Sequence, residues 1–544
     1  MTSPQPIELR RAEPGPPAPR GAISPLIPVL APIAVAAILL AALFSRLFPF
    51  AAAEGKAPAA RFADVTRDSG ITFSHDNGSW DGQDTPTTIP GAVAFLDYDG
   101  DGRPDLFFVG GTAWPWNPPK PGAPTCALYH NLGNGRFADV TRESGLDSGP
   151  LGMGVAVGDY DGDGHPDVFV TGIGGNRLFH NLGNGTFADV TDAAGVRGDD
   201  HVWSTGAVWI DLFGSGRLDL VVCNYARWAA GTDLRSAFNA ESTGPSYTAP
   251  SGFVSVFPTV YRNLGNGRFS DVSAKTGLNL IDRQTGFPRA LPLAVAAVDA
   301  NADGRLDLLF TYQSGDDVLF VNRGDGTFAE WKPPVERREG ASAALTGSGS
   351  LALGRPAEGA DRFGVLRAAG LALNGTLEED PFCRLNDRLG AALLDYDLDG
   401  RLDVVSGEGI AEGGLARFEH GRSFPAIPQL LWNGGGRWTR QRLAAGDGVP
   451  LVARGVAVAD VMGNGNLDVV VAQNGGPPRL YRNLQPSRHA WLRVDLVGTR
   501  CQRDAGGARV EVHTPRGILV QTMEPATGFM AQSEKTLTFG LGDD

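Results

Sequence analysis

The chain has 544 residues, of which 61 are acidic and 47 basic, giving a formal net charge of −14, and it carries 74 glycines and 38 prolines. That balance excludes the basic footprint of a nucleic-acid binder, so nucleic acid is not an expected partner and cations are. Turn-forming residues at this abundance, with 20% charged and 42% hydrophobic side chains, exclude a disordered or mainly helical chain and point to an all-β one.

The first segment, residues 1–22, is a polar leader with Arg10, Arg11 and Arg20. Residues 23–50 contain Leu26 to Phe44, a stretch of 19 residues without charge, followed by Arg46. This is long enough to cross a bilayer, and the positive leader predicts a signal anchor with the bulk of the chain outside the cytoplasm, periplasmic or extracellular. The small residues Ala51, Ala52 and Ala53 keep a cleaved signal, and hence secretion, as the alternative. Residues 51–60 read as a linker.

From there one nine-residue element recurs: DYDGDGRPD from Asp97, DYDGDGHPD from Asp159, DLFGSGRLD from Asp211, DANADGRLD from Asp299, DYDLDGRLD from Asp395 and DVMGNGNLD from Asp460. Each copy keeps aspartate at positions one and nine and glycine at position six, where a positive φ folds the loop back. A second element alternates with it: LYHNLGNGRFADVT from Leu128, LFHNLGNGTFADVT from Leu178, VYRNLGNGRFSDVS from Val260 and LFVNRGDGTFAEW from Leu319. Asn-Gly between apolar runs predicts a hairpin with a type I′ turn. With the short apolar runs flanking each loop, every unit supplies about four strands and almost no helix, the content of a propeller blade. The asparagines before the turns, Asn131, Asn181, Asn263, Asn322, Asn433 and Asn483, leave one double-length gap. A degenerate blade between about 330 and 385 would fill it, which predicts seven blades, with six or eight as alternatives.

The loops carry the chemistry. In D-x-D-x-D-G-x-x-D, side chains one, three, five and nine with the carbonyl at seven surround one point with oxygen, as a hard cation such as Ca2+ requires and as zinc or copper do not. Four copies are complete or nearly so: Asp97, Asp99, Asp101 and Asp105; Asp159, Asp161, Asp163 and Asp167; Asp299, Asn301, Asp303 and Asp307; Asp395, Asp397, Asp399 and Asp403. The other two place Phe213 and Ser215, or Met462 and Asn464, where carboxylates belong, and are expected to keep the loop's shape without the ion. The alternative for all six is an Asx-turn network with solvated carboxylates.

His130 and His180 sit where sister copies have Arg262 and Arg482, and so read as blade-packing residues, while His165 lies inside a loop. No nucleophile-elbow, zincin or P-loop pattern occurs, so no enzyme is expected. A propeller oxidoreductase or lyase working in the central channel is the alternative. Cys126, Cys223, Cys383 and Cys501 allow up to two disulfides or none.

The Asp loops followed by N-x-G-x-G-x-F-x-D-V resemble FG-GAP/VCBS repeats of integrin-α-like propellers. The tail HAWLRVDLVGTRCQRDAGGARVEVHTPRG with GFMAQSEKTLTFGLGDD is similar to an ASPIC/UnbV domain, so the exported region resembles the cartilage acidic protein family. The resemblance implies an all-β integrin-α-like propeller over 61–484, a small C-terminal β-domain over 485–544 in which a further strand would follow Gly542, and a calcium-dependent binding, adhesion or scaffolding module for a protein or glycan ligand. One closure is expected from the repeats themselves. The folded region begins with RFADVT at Arg61 and its last repeat stops at LYRN, ending at Asn483, so each end holds the half-hairpin that the other lacks, and Leu480–Tyr481 should pair antiparallel with Phe62–Val65.

Overall fold

The computed structural model describes residues 57–76, 89–111, 126–228, 253–331, 390–486 and 489–543, with short breaks at 282–285, 287, 290, 302, 313–317, 408, 410–424, 436–437, 445–447 and 526–529. The expected anchor lies outside them, as does nearly all of the expected degenerate blade. Among the described residues no helix is long and apolar enough to cross a membrane.

The fold is all-β and propeller-like. Among the described residues the chain forms six four-stranded antiparallel units, called blades here. The first blade has strands Val93–Leu96, Asp105–Val109, Cys126–Asn131 and Phe137–Asp139. The second runs Leu151–Gly158, Asp167–Ile173, Arg177–Asn181 and Phe187–Asp189, and the third Val202–Ile210, Asp219–Arg227, Thr259–Asn263 and Phe269–Asp271. A single pair, Trp203 with Ile173, joins these two into one sheet. The fourth blade runs from Pro292 to Glu330 and the fifth from Gly390 to Arg442.

Each unit follows the same physical plan. The inner strands are apolar at nearly every position because blades stack on both of their faces, so Val93–Leu96 and Asp105–Val109 are buried throughout. The outermost strand buries only its phenylalanine, at Phe137, Phe187, Phe269 and Phe328. A one-turn helix then follows in the first two blades, Thr141–Ser144 and Thr191–Ala194. Asp139 Oδ1 accepts both the N–H and the hydroxyl of Thr141, and Asp189 does the same for Thr191.

The hairpin turn differs from the predicted two-residue type I′. Asn131 pairs with Phe137, and Leu132 N–H donates to Arg136 O at 2.9 Å, so the connection has five residues. Gly133 and Gly135 take positive φ, at 78° and 73°, and Asn134 does not. Asn131 and Asn134 each accept a backbone N–H two residues on, making two successive Asx turns instead of one tight reversal.

The sixth blade contains Ala453–Ala459, Asp468–Gln473 and Arg479–Asn483, and its fourth strand is Phe62–Asp64, the first strand in sequence among the described residues. Phe62 pairs with Asn483, Ala63 with Arg482 and Asp64 with Tyr481, antiparallel. The bonds repeat those inside an unbroken hairpin: Leu128 N–H donates to Thr141 Oγ1 at 2.9 Å, and Leu480 N–H donates to Thr66 Oγ1 at 2.8 Å. Even residues 57–60, expected to be linker, are tied down, since Pro58 O accepts from the Tyr396 hydroxyl at 2.9 Å and Gln441 Nε2 at 3.0 Å.

The tail is joined to the propeller as well. Two strand pairs, Ala490–Val494 with Leu537–Gly542 and Arg509–Thr514 with Gly517–Thr522, form its own sheets. Ala531–Gln532, however, adds parallel to Val93–Ala94 at the inner edge of the first blade. Ser533 and Glu534 then bond Val458 of the sixth blade, through Ser533 Oγ and Glu534 N–H, both at 3.1 Å. The tail thereby bridges the first and last blades, beside the Gly455 N–H to Gly91 O bond that joins them directly.

Phe62 is 4% exposed and packs in the core shared by the fifth and sixth blades. Phe62→Ala is therefore expected to cost about 3 kcal/mol by denaturant unfolding, and deletion of 61–66 to cost far more than deletion of 51–56. Equal effects of the two deletions would show that the terminal strand does not close the fold.

Candidate metal centre

The loops are built around their two outer aspartates. Asp97 Oδ1 accepts the N–H groups of Gly100 and Asp101 at 2.9 and 3.0 Å, and Oδ2 that of Gly102 at 2.9 Å. Gly102 sits at φ +81°, which a side chain would resist. The degenerate loops keep the same wrap: Asp211 accepts from Ser215 and Gly216, Asp460 from Asn464 and Gly465.

Position nine is buried in all six copies. Asp105 Oδ1 accepts the Asn131 N–H at 2.7 Å and Oδ2 that of Tyr98 at 3.2 Å, tying the loop's second residue to the hairpin. Asn181, Asn263, Asn322, Asn433 and Asn483 make the same bond to Asp167, Asp219, Asp307, Asp403 and Asp468. The asparagine amide then reaches into the neighbouring blade: Asn181 Nδ2 donates to Tyr98 O at 2.8 Å, Asn263 to Tyr160 O at 2.8 Å, Asn483 to Tyr396 O at 2.9 Å and Asn131 to Val461 O at 3.1 Å. The loop second residue is thus where one blade grips the next.

Between these fixed ends the remaining carboxylates converge. Oxygens of Asp97, Asp99 and Asp101, of Asp159, Asp161 and Asp167, and of Asp395, Asp397 and Asp403 lie within 4.8 Å of one another in each loop. The loop from Asp299 is less converged, with Asn301 Nδ2 donating to Asp303 Oδ2 at 3.0 Å. In three loops an arginine at position seven pairs with the carboxylate at five: Arg103 with Asp101, Arg305 with Asp303 and Arg401 with Asp399. The second loop has His165 there, which leaves Asp163 without that arginine.

Burial pushes the Asp105 carboxyl up to about 8, Asp167 to about 7, and Asp307 and Asp399 to about 6; hydrogen bonds pull Asp105, Asp167 and Asp307 partly back, and neighbouring carboxylates add a further push upward in all four. Asp395 and Asp403, both buried, are held well above the ordinary carboxylate range by that burial and by neighbouring carboxylates. A cluster in this state gains from a cation, which supplies the charge the site lacks. The donor set is oxygen-rich, and Asp397 Oδ1 is a buried acceptor without a hydrogen bond, so the residues fit a hard ion.

Side chains that sequence reading missed complete the site. His130 and His180, read as packing residues, face the first and second loops: His130 Nδ1 lies 3.3 Å from Asp99 Oδ2 and 3.2 Å from Asp105 Oδ1, and His180 Nδ1 3.5 Å from Asp161 Oδ2 and 3.0 Å from Asp167 Oδ1. Their signal was their place immediately before the turn asparagine, which strand pairing sets beside position nine. The tail supplies others. His489 Nδ1 lies 2.9 Å from Asp397 O, and a side chain at Gly540 would collide with Asp395. Arg493 pairs with Asp460 at 3.0 Å and, through both terminal nitrogens, with Glu534, placing a guanidinium at the sixth loop. In the third loop the cation is Arg262, 4.5 Å over the Phe213 ring. Cys126, Cys223 and Cys501 form no disulfide, and Cys383 lies outside the described residues.

A family profile described as an FG-GAP-like repeat matches residues 97–170 and 159–222, and one described as ASPIC and UnbV matches 498–544. The chain thus carries FG-GAP-like repeats over 97–222 and an ASPIC/UnbV domain over 498–544. Its curated relatives are cartilage acidic proteins: cartilage acidic protein 1 of Xenopus tropicalis is 25% identical over 496 residues, covering 84% of this chain and 69% of that one. The Mus musculus protein of the same name is 23% identical over 525 residues, with the same two coverages. Among solved structures, an Agrocybe aegerita lectin that recognises non-reducing terminal N-acetylglucosamine is 16% identical, covers 72% of this chain and 80% of its own, and has a TM-score of 0.32.

Two outcomes follow from the charges. In chelator, Asp105, Asp167, Asp307 and Asp399 keep protons that an unfolded aspartate releases near pH 3.9, so stability is fullest below that pH and falls as pH rises through about 6 to 8. Excess calcium should remove that fall, and identical Tm-against-pH curves with calcium and with chelator would refute the metal reading. Arg493→Ala, which leaves buried Asp460 and Glu534 facing each other, is expected to cost about 3 kcal/mol, and a double-mutant cycle with Glu534→Ala should recover part of it.

Proposed function

We propose that the chain is an exported, calcium-loaded propeller that acts as a binding, adhesion or scaffolding module for a protein or glycan, held to a membrane by residues 23–50 or released by cleavage after them. The observation that carries this reading is the convergence of buried, charge-starved carboxylates in the first, second and fifth loops. The proposed ligands are the sixteen side chains at positions one, three, five and nine of the four complete loops. Partly exposed loops of this kind suit the high free calcium outside a cell, where extracellular modules bind at about 10⁻⁴ to 10⁻³ M.

The tail narrows the surface open to a partner. It lies on the fifth and sixth loops through Gly540 and Arg493 and touches the second through Asp504, which accepts the Asp159 N–H at 3.2 Å, whereas Asp99, Asp101, Asp161 and Asp163 remain exposed. Each hairpin tip beside those two loops also presents a leucine, Leu132 at 47% and Leu182 at 50% exposure.

Fractionation of cells expressing the full chain should place it in the membrane or in the medium, with the propeller accessible to protease from outside. Capture on glycan and protein arrays in about millimolar calcium should be lost in chelator. Full-length protein in the soluble cytoplasmic fraction, or capture unaffected by chelator, would overturn the reading.

A further inference from the structure

The residue immediately before each turn asparagine occupies the same place in every blade, beside the buried aspartate at position nine. In chain order these residues are His130, His180, Arg262, Val321, Trp432 and Arg482. The two arginines belong to the two loops that have lost carboxylates; burial pushes the position-nine aspartates there, Asp219 and Asp468, up to about 6 and about 7, and Arg262 and Arg482 offset part of that rise. Where the external ion is not expected, a covalently attached cation stands at this register. The two histidines belong to loops with every carboxylate present.

Their geometry differs from that of a packing residue. His130 Nδ1 is buried, forms no hydrogen bond, and lies 3.3 and 3.2 Å from oxygens of two different aspartates, Asp99 and Asp105. Two ligands about 2.2 Å from one ion and at right angles lie about 3.1 Å apart, so this triangle is the edge spacing of a coordination sphere. His180 Nδ1 has the same kinds of neighbour, 3.5 Å from Asp161 Oδ2 and 3.0 Å from Asp167 Oδ1, the latter a hydrogen bond, and the ring converges with Asp161 and Asp163 within 4.8 Å. Both rings are held edge-on by the tyrosine at loop position two, Tyr98 with His130 at 80° and Tyr160 with His180 at 70°. The fifth blade offers the Trp432 indole instead, whose N–H donates to Asp397 Oδ2 at 3.0 Å and cannot ligate a metal.

We propose that His130 and His180 are nitrogen ligands to the ions of the first and second loops, so that one chain carries two classes of site: two mixed imidazole and carboxylate sites that accept a borderline divalent metal such as Mn2+ or Co2+ alongside calcium, and oxygen-only sites in the fourth and fifth blades. This deepens, and rests on, the reading of the loops as cation sites. Imidazole raises affinity for first-row transition ions far more than for calcium, which prefers oxygen.

The test uses the full chain loaded with Mn2+ and examined by pulsed EPR, with calcium stoichiometry measured in parallel by calorimetry. Wild type should show modulation from directly coordinated imidazole nitrogen, and His130→Gln with His180→Gln should lose it, with Mn2+ affinity at those sites falling at least about tenfold while calcium stoichiometry holds. His130→Arg with His180→Arg, a residue that the third and sixth blades already accommodate at this register, should remove two ions from the calcium count with the fold intact by circular dichroism. Calcium or Mn2+ binding without nitrogen coupling would overturn the inference, reduce both histidines to hydrogen-bond partners of the aspartates, and leave the cation reading standing. A nitrogen signal that persists in the glutamine variant would also overturn it. No metal binding in wild type would overturn the cation reading itself, and the inference with it.

Discussion

The buried aspartate that ends each loop is the constraint on which the rest depends. Its two oxygens bind the backbone of the hairpin and of the loop's second residue, and that second residue's carbonyl receives the asparagine amide of the adjoining blade. One carboxylate therefore fixes loop to strand, strand to turn, and, one bond removed, blade to blade. A buried carboxylate is costly unless its lone pairs are filled, and here a backbone N–H fills one oxygen in every copy and both in the first five. This is why the aspartate and the asparagine persist in the third and sixth blades, where the side chains for an ion are gone.

The same burial creates the electrostatic problem that the surrounding residues answer in different ways. Arg262 and Arg493 bring permanent positive charge to loops that have lost carboxylates. Position-seven arginines lie against the carboxylate at five in three of the complete loops. In the fifth loop, Asp395 and Asp403 are enclosed, and the tail packs against it at Gly540. A site that is both deep and acidic would hold a cation longer than an open one, and the chain combines a sheltered loop with exposed ones of similar sequence.

The repeat chemistry was legible because it is local. A glycine that needs positive φ, aspartates two residues apart and an Asn-Gly turn all act within a dozen residues, and the half-hairpins at the two ends showed their missing partners by simple complementarity. What the sequence could not carry were relations fixed by strand pairing and docking. His130 and His180 looked like packing because their neighbours, Asp99 and Asp161, stand in another part of the repeat, and only the pairing of the second and third strands brings them together. The turn was misjudged because the first asparagine acts as the last residue of its strand. The inserted strand Ala531–Gln532 is two residues long and parallel to its neighbour, so it has neither the length nor the alternation that marks a strand.

The closing strand also orders events in time. Leu480 meets Thr66 across a separation of 414 residues, so the first folded segment to be made waits for nearly the whole chain before it finds its place. Contacts this distant form late, and until then the sixth blade has a bare edge that any copy of RFADVT can fill. At high local concentration two chains can exchange their opening strands, each completing the other's last blade with the same pairing of Phe62–Asp64 on Tyr481–Asn483 that closes the monomer.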